Sequence, residues 1–234
     1  MTRLPAGYPH TMRENDQQQI RAGGPAIVRA GPADGPAVLV LDPAGDAKHD
    51  ELPATWRPFT DHLRVVWWRL PAANLDGVSS DAVLSDVACL GRTVDVVGYG
   101  TAAQLGLTLG VRYPVLVRSV VLVDPDEPDA DPATTHPERG IDWCEQRFGL
   151  LTGRLAEQGT PVEVIISEAD DRAEQELLPL PIGHPKVVTT VVQALVDVAA
   201  EQSTLLPSQD GAHPEPSDLL DGSWTAVRDL VADQ

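Results

Sequence analysis

The sequence predicts an α/β fold: a mostly parallel central sheet flanked by helices. Three observations predict it. Five apolar, largely β-branched runs recur along the chain: AVLVLD (37–42), RVVWWRL (64–70), VDVVG (94–98), RSVVLVD (118–124) and PVEVIIS (161–167). Several are continuously apolar, the mark of strands buried on both faces of a parallel sheet. Helical patterns separate most of them, and right-handed crossovers then place helices on both faces. At 234 residues the chain has the size of one such domain.

The elements follow in order. Residues 1–16 are polar, punctuated by Pro and Gly, and read as a loose N-terminal arm. The main domain is expected over 17–202. QQQIRA (17–22) and PAIVRAG (25–31) read as short strands, and Asp34-Gly35 in the turn GPADGP is a hairpin signal before AVLVLD. A helix is expected over 55–63, ahead of RVVWWRL. SSDAVLSDVACLG (79–91) is an amphipathic helix ending at Gly91. VDVVG leads through Gly98-Tyr99-Gly100 into a helix over 101–113. After RSVVLVD, an excursion over 125–160 begins with an Asp- and Pro-rich loop and ends in a helix over 140–158, a minimal cap. LLPLPI (177–182) is a weak strand whose prolines suit an edge. Pro185 opens a long helix over 185–202. The tail 203–234 carries a last helix, 221–232, expected on or beside the domain.

Composition excludes several function classes. Lys+Arg 17 against Asp+Glu 35 gives a net charge of −18, which disfavours nucleic acid, anionic membranes and other polyanionic partners. No window approaches a membrane span, and the first residues lack the apolar core of a signal peptide, so a cytoplasmic protein is expected. Sparse lysine with heavy Ala, Val, Asp, Gly and Pro usage suits a GC-rich bacterial genome. Cys89 and Cys144 make neither a disulfide framework nor a metal site. Asp126, Glu127, Asp129 and Asp131 lack the spacing of a calcium loop. No metal and no cofactor are expected.

The richest stretch is VDVVGYGTAAQLGLTLGVRYP (94–114): an apolar strand, a tight turn, then an Ala- and Leu-rich helix stopped by proline. It has the form of a nucleophile elbow, where a serine normally occupies the centre of G-x-S-x-G. Positions 98 and 102 must be small, because the strained turn brings backbone against neighbouring strands. With this stretch, VEVIISEADD (162–171) and PIGHPKVV (181–188), the chain resembles the α/β-hydrolase fold superfamily over about 17–202. The resemblance implies the order nucleophile, acid, histidine at Gly100, Asp170 (with Asp171 as a neighbouring alternative) and His184. Two members of the constellation are present, and the one that attacks is glycine. Ser79, Ser80 and Ser119 do not sit at an elbow, and Thr101 is the adjacent hydroxyl.

Two further departures lie at the same sheet end. Where the family usually reads His-Gly beside the oxyanion pocket, this chain has Asp42-Pro43. Proline offers no N–H, and an aspartate repels a developing oxyanion. Where the family usually has an aspartate after the next strand, this chain has Arg69, placed to pair with Asp42. Tyr99, Thr101, Asp42 and Pro43 are the expected pocket residues around Gly100. Trp143 and Phe148 on the excursion helix either line that pocket or hold the helix onto the sheet. The resemblance therefore implies a member that lacks serine hydrolysis and binds a small-molecule ligand or a protein partner. The alternative is an ester, lactone or epoxide hydrolase, or a lyase, without a covalent nucleophile, in which Asp170 orients His184 as a general base.

Overall fold

The computed structural model describes residues 25–43, 51–70, 93–126, 141–167, 180–205 and 222–232. Among these, six strands form one sheet in the order β1-β3-β2-β4-β5-β6. The strands are β1 (Ile27–Ala30), β2 (Ala37–Asp42), β3 (Arg64–Arg69), β4 (Val94–Tyr99), β5 (Val117–Val123) and β6 (Val162–Ile165). β1 runs antiparallel to β3, and every other pairing is parallel. The fold is the mostly parallel α/β fold expected from the sequence.

The hairpin expected at Asp34-Gly35 does not form. A turn is present, with the Gly35 N–H donating to the Pro32 carbonyl at 3.2 Å. Its flanking strands do not pair with each other. β1 lies on β3, with Ile27 opposite Trp68 and Ala30 opposite Val65, and β3 separates it from β2. The cause is visible in β2, where all six residues are buried. Such a strand needs neighbours on both edges, and the long apolar β3 and β4 provide them. Short β1 is left for the sheet edge.

Two other elements differ from expectation. The helix expected over 55–63 is a 3₁₀ helix, Ala54–Asp61, with Pro58 inside it. Proline contributes no N–H to an α-helical ladder, and the tighter winding suits so short a segment. LLPLPI is not a strand over its described part. Leu180–Gly183 makes a turn instead, with the His184 N–H donating to the Pro181 carbonyl at 2.7 Å. The strand expected over 17–22 and the helix expected over 79–91 lie outside the described residues.

Helices cover both faces of the sheet. On one face Val38, Val40, Val65, Trp67, Val97 and Val121 share a core with Trp56 and Phe59 of the 3₁₀ helix and with the helix Pro185–Leu205. On the other, Leu39, Leu41, Val66, Trp68, Val96 and Val120 pack with the helices Ala103–Arg112 and Ile141–Glu157. In chain order these helices are α1 (Ala103–Arg112), α2 (Ile141–Glu157) and α3 (Pro185–Leu205), followed by α4 (Gly222–Ala232). The period-2 alternation of each strand thus feeds two separate cores. α2 packs beside α1 and β6, anchored by Cys144, Phe148 and Leu155. Phe148 is buried in the core on the α1 side of the sheet and Trp143 packs against it, their rings meeting edge to face at 5.8 Å. α4 packs on α3 and buries Trp224, Val227 and Val231.

Candidate functional site

The strand order locates a crevice before any side chain is considered. β2 leads to β3 on one side and β4 leads to β5 on the other. The connections diverge between the carboxyl ends of β2 and β4, where open α/β sheets bind ligands. β2 ends there in Asp42-Pro43, and β4 ends in Tyr99-Gly100. Asp42, Pro43, Tyr99 and Gly100, four of the residues expected at the site, stand at these two neighbouring strand ends.

At the elbow, Gly100 has φ +54°, the left-handed conformation that L side chains rarely adopt. It opens a 3₁₀ turn, Gly100–Ala102, that runs into α1. The Gly100 carbonyl accepts the Ala103 N–H and, at 3.0 Å, the Asp126 N–H. A Cβ built on Gly98 would lie 3.2 Å from the Ala102 carbonyl oxygen and the Ala103 Cα, which explains the small residue there. Among the described residues, a Cβ on Gly100 would meet nothing within 4 Å. The turn has a strained backbone with room, among the described residues, along the Gly100 Cβ direction. Thr101 is half-buried within the 3₁₀ turn, and Tyr99 is buried on the α3 side of the sheet.

Asp42 is fully buried at the other wall. Its register partner across β3 is Arg69, as the sequence predicts. The structure adds a contact with a neutral donor: the Trp67 indole N–H donates to Asp42 Oδ2 at 2.8 Å. Trp67 lies two residues before Arg69, hence on the same face, and its ring meets Trp56 edge to face at 5.5 Å. The strand positions of Trp67 and Trp68 fix which of the two can serve the carboxylate. Pro43, also buried, follows without a backbone donor.

His184 stands at the start of α3. Its Nδ1 accepts the Lys186 backbone N–H at 3.3 Å, and its carbonyl accepts the Val188 N–H at 3.0 Å. The imidazole thus occupies the N-cap position of α3, satisfying a donor that a helix start leaves free. Accepting through Nδ1 leaves the proton of the neutral ring on Nε2. A triad histidine uses the opposite tautomer, with Nδ1–H donating to the acid. Asp170 and Asp171 lie outside the described residues.

Sequence reasoning missed Asp124, at the end of β5. Among the described residues it is the non-glycine position with positive φ, at 41°. Its Oδ1 accepts the Ser167 backbone N–H at 2.7 Å, and its Oδ2 accepts the Ser167 hydroxyl. Burial pushes the Asp124 carboxyl above the ordinary carboxylate value, and the two Ser167 bonds oppose that rise. A polar residue directly after an apolar strand was the available signal, obscured by the acidic loop that follows. Cys144, by contrast, is buried in the α2 core, where burial raises its thiol pKa and keeps it unreactive. No cluster of potential metal ligands occurs among the described residues, and no described helix is long and apolar enough to cross a membrane.

No protein-family model and no curated protein matches the chain. Solved structures do resemble it. A probable hydrolytic enzyme from Pseudomonas aeruginosa PAO1 is 19% identical, covering 42% of this chain and 36% of its own, with a TM-score of 0.31. An epoxide hydrolase from Bacillus megaterium, solved with an inhibitor, is 19% identical over 42% of this chain and 38% of its own, also at 0.31. YahD, solved with malic acid, is 14% identical over 74% of this chain and 98% of its own, at 0.43. The chain thus spans well under two thirds of the length of the first two.

Proposed function

We propose that the protein uses an α/β-hydrolase scaffold to bind a small molecule in the crevice between β2 and β4, without serine hydrolysis. The observation that carries this reading is Gly100: a left-handed elbow residue with no side chain and, among the described residues, nothing within 4 Å of its Cβ position. A small ligand can place atoms where a nucleophile would otherwise project. Three features argue against turnover at the same place. Glycine supplies no nucleophile, Pro43 supplies no oxyanion donor, and His184 Nδ1 is engaged by the first turn of α3. The net charge of −18 suits a neutral or cationic small molecule better than a polyanion.

Ligand-observed NMR with a panel of small esters, amides, lactones and amines tests the proposal. Compounds that bind the wild type should lose binding in Gly100→Leu, whose side chain fills the vacated direction. Binding that survives this change would place the ligand elsewhere. Labelling of the wild type by a fluorophosphonate would overturn the loss of serine chemistry.

A further inference from the structure

The segment Leu180–Gly183 is fastened at both ends, to the residue after β6 and to the 3₁₀ helix. At one end the Leu180 N–H donates to Ser167 Oγ at 3.2 Å, and the Ser167 hydroxyl donates to Asp124. At the other, Thr55 Oγ1 donates to the Gly183 carbonyl at 2.8 Å, and the Trp56 indole N–H donates to the Ile182 carbonyl at 3.2 Å. Ser167 follows β6, whereas Thr55 and Trp56 belong to the 3₁₀ helix between β2 and β3. In sheet order β4 and β5 lie between these anchors. The segment therefore runs past the strands that carry Gly100 and Asp124, with its own Ile182 fully buried in the α3-side core.

We propose that Asp124 and Ser167 are positioning residues that hold this brace and, through it, set where His184 stands at the edge of the crevice. Three features of the pair support that role. The Asp124 carboxylate accepts two bonds from one residue, the backbone N–H and hydroxyl of Ser167. That points the Ser167 O–H at the carboxylate and turns an oxygen lone pair toward the Leu180 N–H. Asp124 adopts its left-handed φ of 41° to do so, a conformation retained only where surrounding contacts over-determine it. The brace then passes directly into the His184 cap: the His184 N–H bonds to Pro181 within it, and the imidazole bonds to Lys186 beyond it. A shift at Ser167 has only the short stretch from Leu180 to Gly183 in which to dissipate, and Thr55 and Trp56 hold that stretch from the far side. The inference concerns the position of His184, so it stands or falls independently of whether the crevice holds a ligand.

Two NMR signals test it: hydrogen exchange at the Leu180 amide and the ¹⁵N shifts of the His184 ring, which report which nitrogen carries the proton. Ser167→Ala should speed Leu180 exchange at least tenfold and move the His184 ring signals. Ser167→Thr keeps the hydroxyl and should return both to the wild-type pattern. Thr55→Val releases the other anchor and should move His184 while leaving the Leu180 amide protected. Gln202→Ala, which removes a bond to the Arg118 carbonyl at the far end of the sheet, should move neither signal. Unchanged Leu180 exchange in Ser167→Ala would overturn the clamp. Faster exchange with a stationary His184 would overturn the transmission, as would a His184 shift in Gln202→Ala equal to that in Ser167→Ala.

Discussion

Two left-handed glycines sit at opposite ends of the sheet and are glycine for different reasons. Gly31, after β1, has φ +89°, and a Cβ there would lie 1.9 Å from the Leu63 carbonyl oxygen. Gly100, after β4, has φ +54°, and among the described residues a Cβ there would meet nothing within 4 Å. At Gly31 the neighbouring backbone excludes any side chain. At Gly100 only the local conformation resists one, and the space for it remains. Packing fixes glycine at the first position, and backbone conformation alone favours it at the second.

The buried aspartates repeat the contrast. At the amino end Asp95 receives both Nε and Nη2 of Arg118, with the Nε bond at 2.8 Å, and the Ser119 hydroxyl at 2.7 Å. Arg118 also lies 4.9 Å from the Trp224 ring centroid, which ties α4 to this network. A fixed bidentate cation is a structural arrangement. At the carboxyl end Asp42 accepts from a neutral indole beside the crevice. The bidentate Arg118–Asp95 pair thus lies at the amino end of the sheet.

The sharpest break of this comparison is Gly31→Ala. A collision with Leu63 adds to an unfavourable backbone, so urea unfolding should show a loss of about 4 kcal/mol, overpacking and left-handed strain together. A loss near that of Gly100→Ala would erase the distinction between the two ends. Next comes Arg118→Ala, which leaves Asp95 buried without its cation and should lower stability by about 3 kcal/mol. It should also loosen α4, read as quenching or red shift of Trp224 fluorescence against the remaining tryptophans. A stability change below about 1 kcal/mol would mark the pair as surface-like.

A smaller effect is expected at the carboxyl end. Gly100→Ser has room for its side chain and meets only the left-handed strain, about 1–2 kcal/mol. The variant should fold and still resist fluorophosphonate labelling, because Pro43 and the His184 cap separate the site from serine chemistry at two further points. Labelling of the Gly100→Ser variant at its introduced hydroxyl would show that glycine alone had silenced the elbow.

Much of this architecture was legible because parallel strands advertise themselves. AVLVLD and VDVVG are buried on both faces and leave little freedom of assignment. The elbow was legible for a similar reason: the space at Gly98 is set by backbone, which sequence spacing reports well. Pairing was harder to read. Asp34-Gly35 carries a local turn preference, and that preference cannot express the demand of β2 for two long neighbours. The brace was invisible for another reason. Its bonds join Asp124, Ser167, Leu180 and Thr55, with Thr55 reaching a carbonyl 128 positions away, and no local pattern marks any of them. The cap role of His184 needed coordinates too, since its place in the chain fits a base and a helix cap equally.

The gentlest probe of the carboxyl end is pH, applied to Asp124→Asn. Burial raises the Asp124 carboxyl in the folded chain above its reference value of 3.8. Below that value the group is protonated in both folded and unfolded chains, and its stabilising contribution is complete. As pH rises through the folded value, the native state must ionise a carboxyl that burial disfavours, and the contribution is lost. Asparagine tolerates the left-handed backbone and does not titrate. The stability of the wild type relative to Asp124→Asn should therefore fall as pH climbs from about 3.8 and level off once Asp124 is ionised. Urea unfolding of both proteins from about pH 3.5 to about pH 7 isolates this difference, because every other titrating group is common to the pair. A difference that is flat with pH, or that rises, would mean the Ser167 bonds outweigh burial. Asp124 would then be a carboxylate whose donors match or exceed the cost of its burial, as the bonds from Ser167 alone would make it.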